Sequence, residues 1–403
     1  MAPTMIRRHF RTDVCYMRGD IRTDVAAKAI VLRGAPPEAK EERIRPYTRK
    51  WEKGIMTTVD EIALRPAAAV SVVAAEGALQ RSDIMKKKDC EVTHEAAGIV
   101  FSTGGYTGNV YHEFNDGMIP LYITAERFSG DVVLVVVEYH SWWFTKYRRV
   151  LEKITKHEIV DFRKDKRVHC FAEMIVGLRI HGELTIDPNL MPSRKGIADF
   201  NSLLNEALRL PNQTGPGLIP GQPTRSRPKL VILVRNRSRR LLHFKDILRL
   251  CRRVGFDVEL LNPKRSTELT DIHMVLAAAD AMMAVHGAAV THFLFLRPGS
   301  LLIQVVPLGL DWAAEEYYGG PARKMGIQYM AYNVTPAESS LSKEYNQGDP
   351  VLVDPRKITS RGWAETKKVY LDKQDVVLNL PRFGKFMSEA HQRVVGSRRV
   401  LTM

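Results

Sequence analysis

The stretch that decides the fold runs from Asp280 to Pro307, DAMMAVHGAAVTHFLFLRPGSLLIQVVP. The run AMMAV breaks at His286-Gly287-Ala288, AVTHFLFL follows, and a second break at Arg297-Pro298-Gly299 leads into SLLIQVVP. Short apolar runs punctuated by Gly and Pro read as strand, turn, short helix and strand. Working outward toward the N-terminus, KLVILVR from Lys229 is strand-like. FKDILRLCRRVG carries Phe244, Ile247, Leu248 and Cys251 at helical spacing and is stopped by Gly255. FDVELLN reads as a strand and TELTDIHMVLAAAD as a helix. The alternation of apolar strands with helices predicts a parallel sheet covered on both faces.

In such a sheet, ligands collect beyond the carboxyl ends of the strands. Two turns at those ends carry chemistry. Asn236-Arg237-Ser238-Arg239-Arg240 follows KLVILVR, and its guanidiniums and backbone N–H groups suit a diphosphate. The same residues also read as a solvated basic loop. His286-Gly287-Ala288-Ala289 follows AMMAV, where small residues allow close backbone approach and the histidine can donate to a phosphate oxygen. A core histidine in a tight turn is the plainer reading.

The first half repeats the theme. AGIVFST and DVVLVVVE read as strands, NVYHEFNDGMI and WWFTKYRRVLEKI as helices, and HEIVDF as a short strand. On a helical wheel Asn109, His112, Glu113 and Asp116 share one face, with Tyr111, Phe114, Met118 and Leu121 opposite. Pro120 is expected to limit this helix. Many surface helices show such a split; where the polar face lines a cleft, His112, Glu113 or Asp116 can serve as general base. The expected organisation is an irregular, β-tending N-terminal elaboration over 1–95, a first α/β domain over 96–225 and a second over 226–403. Eight of the eighteen residues in 211–228 are Pro or Gly, which predicts a linker or ordered loop. Two open α/β domains joined this way place ligands in the cleft between them.

The chain has 403 residues and a net charge of +15, which favours anionic partners. The basic residues sit in short loops without interleaved aromatics, which argues against a single-strand nucleic-acid platform. A nucleic-acid-binding or non-catalytic basic protein is the rival reading, supported by charge alone. No apolar run reaches transmembrane length, and the first ten residues are not a complete signal peptide. The four cysteines, Cys15, Cys90, Cys170 and Cys251, form no CxxC and leave the redox compartment open; one or two disulfides would suit a secretory lumen. Sequons occur at Asn212, Asn236 and Asn333, and that at Asn236 is expected to be unglycosylated because of its strand-end position. No D-x-D, P-loop or G-x-G-x-x-G motif occurs, so phosphate charge must be met by Arg, His and helix termini.

Four blocks in order, FSTGGYTGNVYHEFNDGMIPLYIT, VDFRKDKRVHCFAEMIVGLRIHGELTIDP, LVRNRSRRLLHF and AVHGAAVTHFLFLRPGSLLIQVVP, resemble glycosyltransferase family 61, in particular its plant xylan branch. The resemblance runs from about Cys15 to about Arg382. It implies a GT-B fold of two Rossmann-like domains with parallel sheets and an inter-domain cleft. It implies inverting transfer from a UDP-sugar with no cofactor and no obligatory metal. The expected reaction moves a pentose, arabinofuranose or xylose, onto a xylan backbone hydroxyl, in the Golgi lumen, by a type II membrane protein whose anchor is not in this sequence. An O-linked N-acetylglucosaminyl transfer of the same family is the alternative. By position, Asn109, His112 and Asp116 match the family's polar helix, Arg235, Arg239 and Arg240 its basic turn, and His286, Gly287 and Thr291 its HGA turn; Asn236 and Ala288 lie within those turns. Ala289 and Ala284 stand where glycine is common, and a methyl at Ala289 requires that residue to avoid positive φ.

Overall fold

The computed structural model describes residues 4–6, 9–67, 90–210 and 226–400. The Pro/Gly-rich stretch expected as a linker, and the Asn212 sequon within it, lie almost wholly outside those residues, at 211–225. The chain forms two compact units, 1–182 with 188–194, and 183–187 with 195–403.

The first unit is built on one mixed sheet. Its strands are β1 (Thr4–Ile6), β2 (Val14–Asp24), β3 (Ala29–Arg33), β4 (Glu42–Ile44), β5 (Ile62–Ala67), β6 (Val92–His94), β7 (Ala97–Phe101), β8 (Val132–Val136), β9 (Val160–Asp161) and β10 (His169–Val176). The main path is β4-β5-β3-β2-β10-β7-β8-β9, with β1 on β2 and β6 on β10. From β10 through β7 and β8 to β9 the pairing is parallel. All five residues of β8, VVLVV, are buried, as a strand covered on both faces requires. The N-terminal segment expected as an elaboration is part of this sheet: β2 lies antiparallel against β10. A disulfide joins Cys90 to Cys170 at the start of β10, while Cys15 and Cys251 are buried free thiols.

The helix expected to stop near Pro120 continues. It runs α-helical over Val110–His112, widens to a π-helix over Glu113–Met118, and resumes over Ile119–Ala125. Pro120 offers no N–H to the carbonyl of Asp116 four residues back. That carbonyl accepts from the Thr48 hydroxyl at 3.0 Å.

The second unit holds a parallel sheet of β11 (Lys229–Leu233), β12 (Asp257–Leu261), β13 (Ala281–Val285), β14 (Leu301–Val306) and β15 (Gln328–Asn333). Their order is β12-β11-β13-β14-β15. Leu230, Ile232, Met283 and Ile303 pack with Ile247 and Cys251 of the helix Phe244–Val254 and with Phe383 and Met387 of the helix Leu380–Val400. The alternate residues Val231, Met282 and Leu302 are equally buried, so both faces are covered. Successive strands run outward from β11 to β12 on one side and from β13 to β15 on the other. The direction reverses between β11 and β13, which makes that gap the topological switch point.

The Cys90–Cys170 bond closes a loop with a sequence separation of 80. Replacing Cys90 with Ser is expected to lower stability by about 2–4 kcal/mol in a urea titration, chiefly by loosening the unfolded chain. An unchanged midpoint would show that the bond contributes nothing.

Candidate functional site

In the first unit the chemistry centres on Asp116, which is 1% exposed. Its Oδ2 accepts from Arg49 Nε at 2.8 Å and from Tyr47 Oη at 3.3 Å, and lies 2.6 Å from His112 Nδ1. Its Oδ1 accepts from Asn115 Nδ2 at 2.7 Å and lies 3.6 Å from an Arg11 guanidinium nitrogen. Burial alone would raise the Asp116 pKa, but the His112 hydrogen bond and the Arg49 charge outweigh it and hold the carboxyl below the usual carboxylate range. An ionised carboxylate can only accept, so His112 Nδ1 carries a proton, and Nε2 is the ring nitrogen left for other chemistry. Nε2 has no hydrogen-bond partner among the described residues.

A ring of contacts fixes the imidazole. Arg49 Nη1 bonds Glu52 Oε1 at 2.9 Å, and Glu52 Oε2 accepts from Tyr106 Oη at 2.7 Å. The Tyr106 ring stacks on His112 with centroids 4.2 Å apart. Burial, then the Glu52 hydrogen bond, push the Tyr106 phenol up to about 12, so it stays a donor. The GGY sequence serves this ring. Gly105 has φ +62, and a Cβ there would lie 2.6 Å from the Tyr47 ring, whose hydroxyl accepts the Tyr106 N–H.

The other polar residues of this helix are placed differently. Asn109 is exposed and acts as N-cap, accepting from Tyr111 N–H at 3.0 Å. Glu113 is buried and accepts from the Tyr147 hydroxyl and from Gly108 N–H. One 3.6-residue wheel does not describe both ends of this segment, because the π turn shifts the angular period; such turns are frequent at functional sites. Sequence reasoning missed Arg11, Tyr47, Arg49, Glu52 and Tyr106. RPYTRKW carries two of them, Tyr47 and Arg49, in a short basic stretch, with nothing in it to say that they meet a carboxylate.

In the second unit both expected turns lie at the switch point, one after β11 and one after β13. Gly287 has φ +148, and a Cβ there would lie 2.5 Å from an Arg235 guanidinium nitrogen, so the glycine admits the arginine. Arg235 Nε donates to Ser238 O at 2.5 Å. Arg239 is 9% exposed, and its backbone N–H donates to Gln374 O at 2.6 Å. Neither guanidinium pairs with a carboxylate among the described residues, and Arg239 Nε is buried without a partner. Burial, then the Arg235 charge, push Arg239 down to about 9. Guanidinium stays charged across the working range.

His286 is held as a neutral donor. Tyr329 Oη donates to Gln304 Oε1 at 2.8 Å, which turns Gln304 Nε2 toward His286 Nδ1, also at 2.8 Å. Nδ1 is therefore the acceptor and Nε2 carries the proton. Burial, then the charges of Arg239 and Arg235, push His286 down to about 3. Tyr318 Oη donates to Gly287 O at 3.0 Å and fixes the turn. Ala288 begins a 3₁₀ helix, Ala288–Phe295, in which Thr291 is fully buried. Ala289 lies in that helix and is not among the residues of positive φ, so its methyl strains nothing. Ala284 lies inside β13. Arg240 is half-exposed and bound through its fork to Asp375. Asn236 is exposed, not enclosed as its strand-end position suggested.

Arg239→Met removes a buried charge that has no counter-ion. The unliganded variant is expected to melt at or above the wild-type temperature. A diphosphate site at Arg239 predicts that UDP stabilises the wild type, by about 2.7 kcal/mol at a hundred times its dissociation constant, and leaves the variant unshifted. A variant that melts well below wild type, or keeps the UDP effect, contradicts an anion site at Arg239.

Comparison with known proteins bears on both turns. The family profile described as Glycosyltransferase 61 matches residues 110–303, from the His112 helix to β14. A xylan glycosyltransferase of Arabidopsis thaliana is 45% identical over 402 residues, covering 96% of this chain and 79% of the relative. A β-1,2-xylosyltransferase of Oryza sativa subsp. japonica is 35% identical, covering 95% of this chain and 82% of the relative. An α-1,3-arabinosyltransferase of the same rice is 33% identical, covering 95% of this chain and 64% of the relative. Identity at this level across almost the whole chain shows common descent: the chain belongs to glycosyltransferase family 61.

Proposed function

We propose that this glycosyltransferase moves a pentose, arabinofuranose or xylose, from a UDP-sugar onto a backbone hydroxyl of xylan, with inversion. The observation that carries the reading is the pair of guanidiniums, Arg239 buried and Arg235 half-buried, without a carboxylate partner among the described residues, at the switch point beside a fixed imidazole donor. Such a site is completed by a multiply charged anion, and a nucleoside diphosphate supplies one. The xylan acceptor follows from relatives that share 33–45% identity and are named for xylan glycosyl-, arabinosyl- and xylosyltransfer. An N-acetylglucosaminyl transfer has weaker support, since the relatives named for it are 22–24% identical.

In the proposed reaction the acceptor hydroxyl attacks the anomeric carbon from the face opposite UDP. His112 Nε2 takes the hydroxyl proton as the new C–O bond forms and the bond to the diphosphate oxygen breaks. Asp116 keeps the proton on Nδ1 and stabilises the imidazolium. Arg235, Arg239, the His286 Nε2–H and the backbone at Gly287 and Ala288 meet the charge on departing UDP. That work needs no cofactor and no divalent metal. The two units would act as the domains of a GT-B enzyme, with the general base on the first and the donor site on the second. The Cys90–Cys170 disulfide supports an oxidising compartment, which fits the Golgi lumen. No helix among the described residues is long and apolar enough to cross a membrane, so a type II anchor would lie outside them.

The test is transfer from UDP-xylose and UDP-arabinofuranose to xylohexaose. Wild type is expected to use one of them. His112→Ala is expected to lose about 10²–10⁴-fold in turnover while keeping UDP stabilisation. Unchanged turnover removes His112 as the base, and no transfer from either donor contradicts the reading.

A further inference from the structure

We propose that the second unit carries an acceptor-binding groove around Trp312 and Trp363, where a chain of pyranose units stacks during transfer. The inference rests on the xylan-directed reading above and adds a site to it. Trp312 and Trp363 are 44% and 48% exposed, with ring centroids 6.3 Å apart in a T-shaped arrangement, and Tyr317 lies 5.9 Å from Trp312. Two exposed indoles with a half-buried phenol beside them form an apolar patch of the kind that marks a binding surface. Beside Trp312 lies a cavity of about 400 Å³ lined by Asp311, Trp312, Pro355, Arg356, Thr359 and Ser360.

The chemistry of this lining selects a sugar. A pyranose ring has apolar C–H faces, whose hydrogens carry partial positive charge and meet the negative face of an indole. Its rim carries hydroxyls, which need both acceptors and donors. Asp311 accepts, Arg356 donates, and Thr359 and Ser360 do either. Asp311, Trp312, Arg356 and Ser360 are all exposed, so the groove is open, as a polymer requires. A nucleoside pocket more often encloses most of its ligand.

The groove is also tied to the anion site. It opens from the loop that follows β14, on the same carboxyl edge of the sheet as the two charged turns. Gln374, fully buried, accepts the Arg239 N–H through its main-chain oxygen. Its side-chain amide pairs with both backbone groups of Leu308, at 2.8 Å to the N–H and 3.1 Å to the carbonyl. Gly309, at φ +78, then turns the chain over the Tyr370 ring toward Asp311 and Trp312. One residue thus fixes the turn that meets the diphosphate and the loop that presents the indole.

Steady-state kinetics of wild type, Trp312→Ala, Trp312→Phe and Trp363→Ala test the proposal, with xylohexaose and the accepted UDP-pentose varied in turn. Each alanine variant is expected to raise the xylohexaose KM about tenfold, the weight of one stacking contact. The UDP-sugar KM, the melting temperature and the UDP-induced shift should stay at wild-type values, and Trp312→Phe should restore most acceptor affinity. An unchanged xylohexaose KM in both alanine variants overturns the groove while leaving the transfer reaction standing. Loss of UDP affinity with an unchanged acceptor KM also overturns it and makes the cavity a nucleoside pocket. Absence of transfer by wild type is a failure of the xylan reading itself.

Discussion

The first unit depends on one buried negative charge. Asp116 is removed from water, and it stays ionised because Arg49, Arg11, His112, Tyr47 and Asn115 all converge on its two oxygens. Its backbone carbonyl also accepts from the Thr48 hydroxyl. A buried charge satisfied this fully fixes everything that satisfies it, since each partner would face a large desolvation cost alone. The segment from Tyr47 to Glu52, the GGY loop and the π turn of the helix are therefore set with respect to one another by a single carboxylate. The consequence for chemistry is a histidine whose tautomer and ring plane are both fixed and whose second nitrogen is left free.

The second unit follows the opposite electrostatic principle. There the charges are left uncompensated: two guanidiniums without carboxylates, beside a histidine kept neutral by burial and by their field. In the proposed function an arriving anion completes the site, a common pattern where binding energy is directed at a charged group. The parallel sheet makes this possible by bringing two turns distant in sequence, after β11 and β13, to one gap. Gly287 then admits the Arg235 side chain where any Cβ would collide with it.

Much of this was legible in the sequence where periodicity and turn chemistry agree. The strands and helices from Lys229 onward fall close to where their apolar spacing put them, and the HGA and NRSRR turns sit at strand ends as expected. The family resemblance added Arg235 and Thr291 to the residues that turn chemistry and the helical wheel single out. What could not be read depends on contacts between distant segments. The partners of Asp116 from 11 to 52 have no local signature. The choice between His112 and Asp116 turns on which is buried among guanidiniums, a tertiary fact. Glu113 and Asn109 share a polar face with His112 on paper, yet a π turn and a helix cap assign them other partners. Pro120 was read by its usual local effect, yet the helix runs on through it, π-helical before and α-helical after.

The central claim is that His112 and Asp116 act as one unit, and a double-mutant cycle on turnover measures this directly. Wild type, His112→Gln, Asp116→Asn and the double variant are compared, each first checked for a native near-ultraviolet spectrum. If Asp116 acts through His112, the double variant falls no further than the more impaired single variant. Losses that simply multiply would mean that the two residues act independently, and would contradict the account.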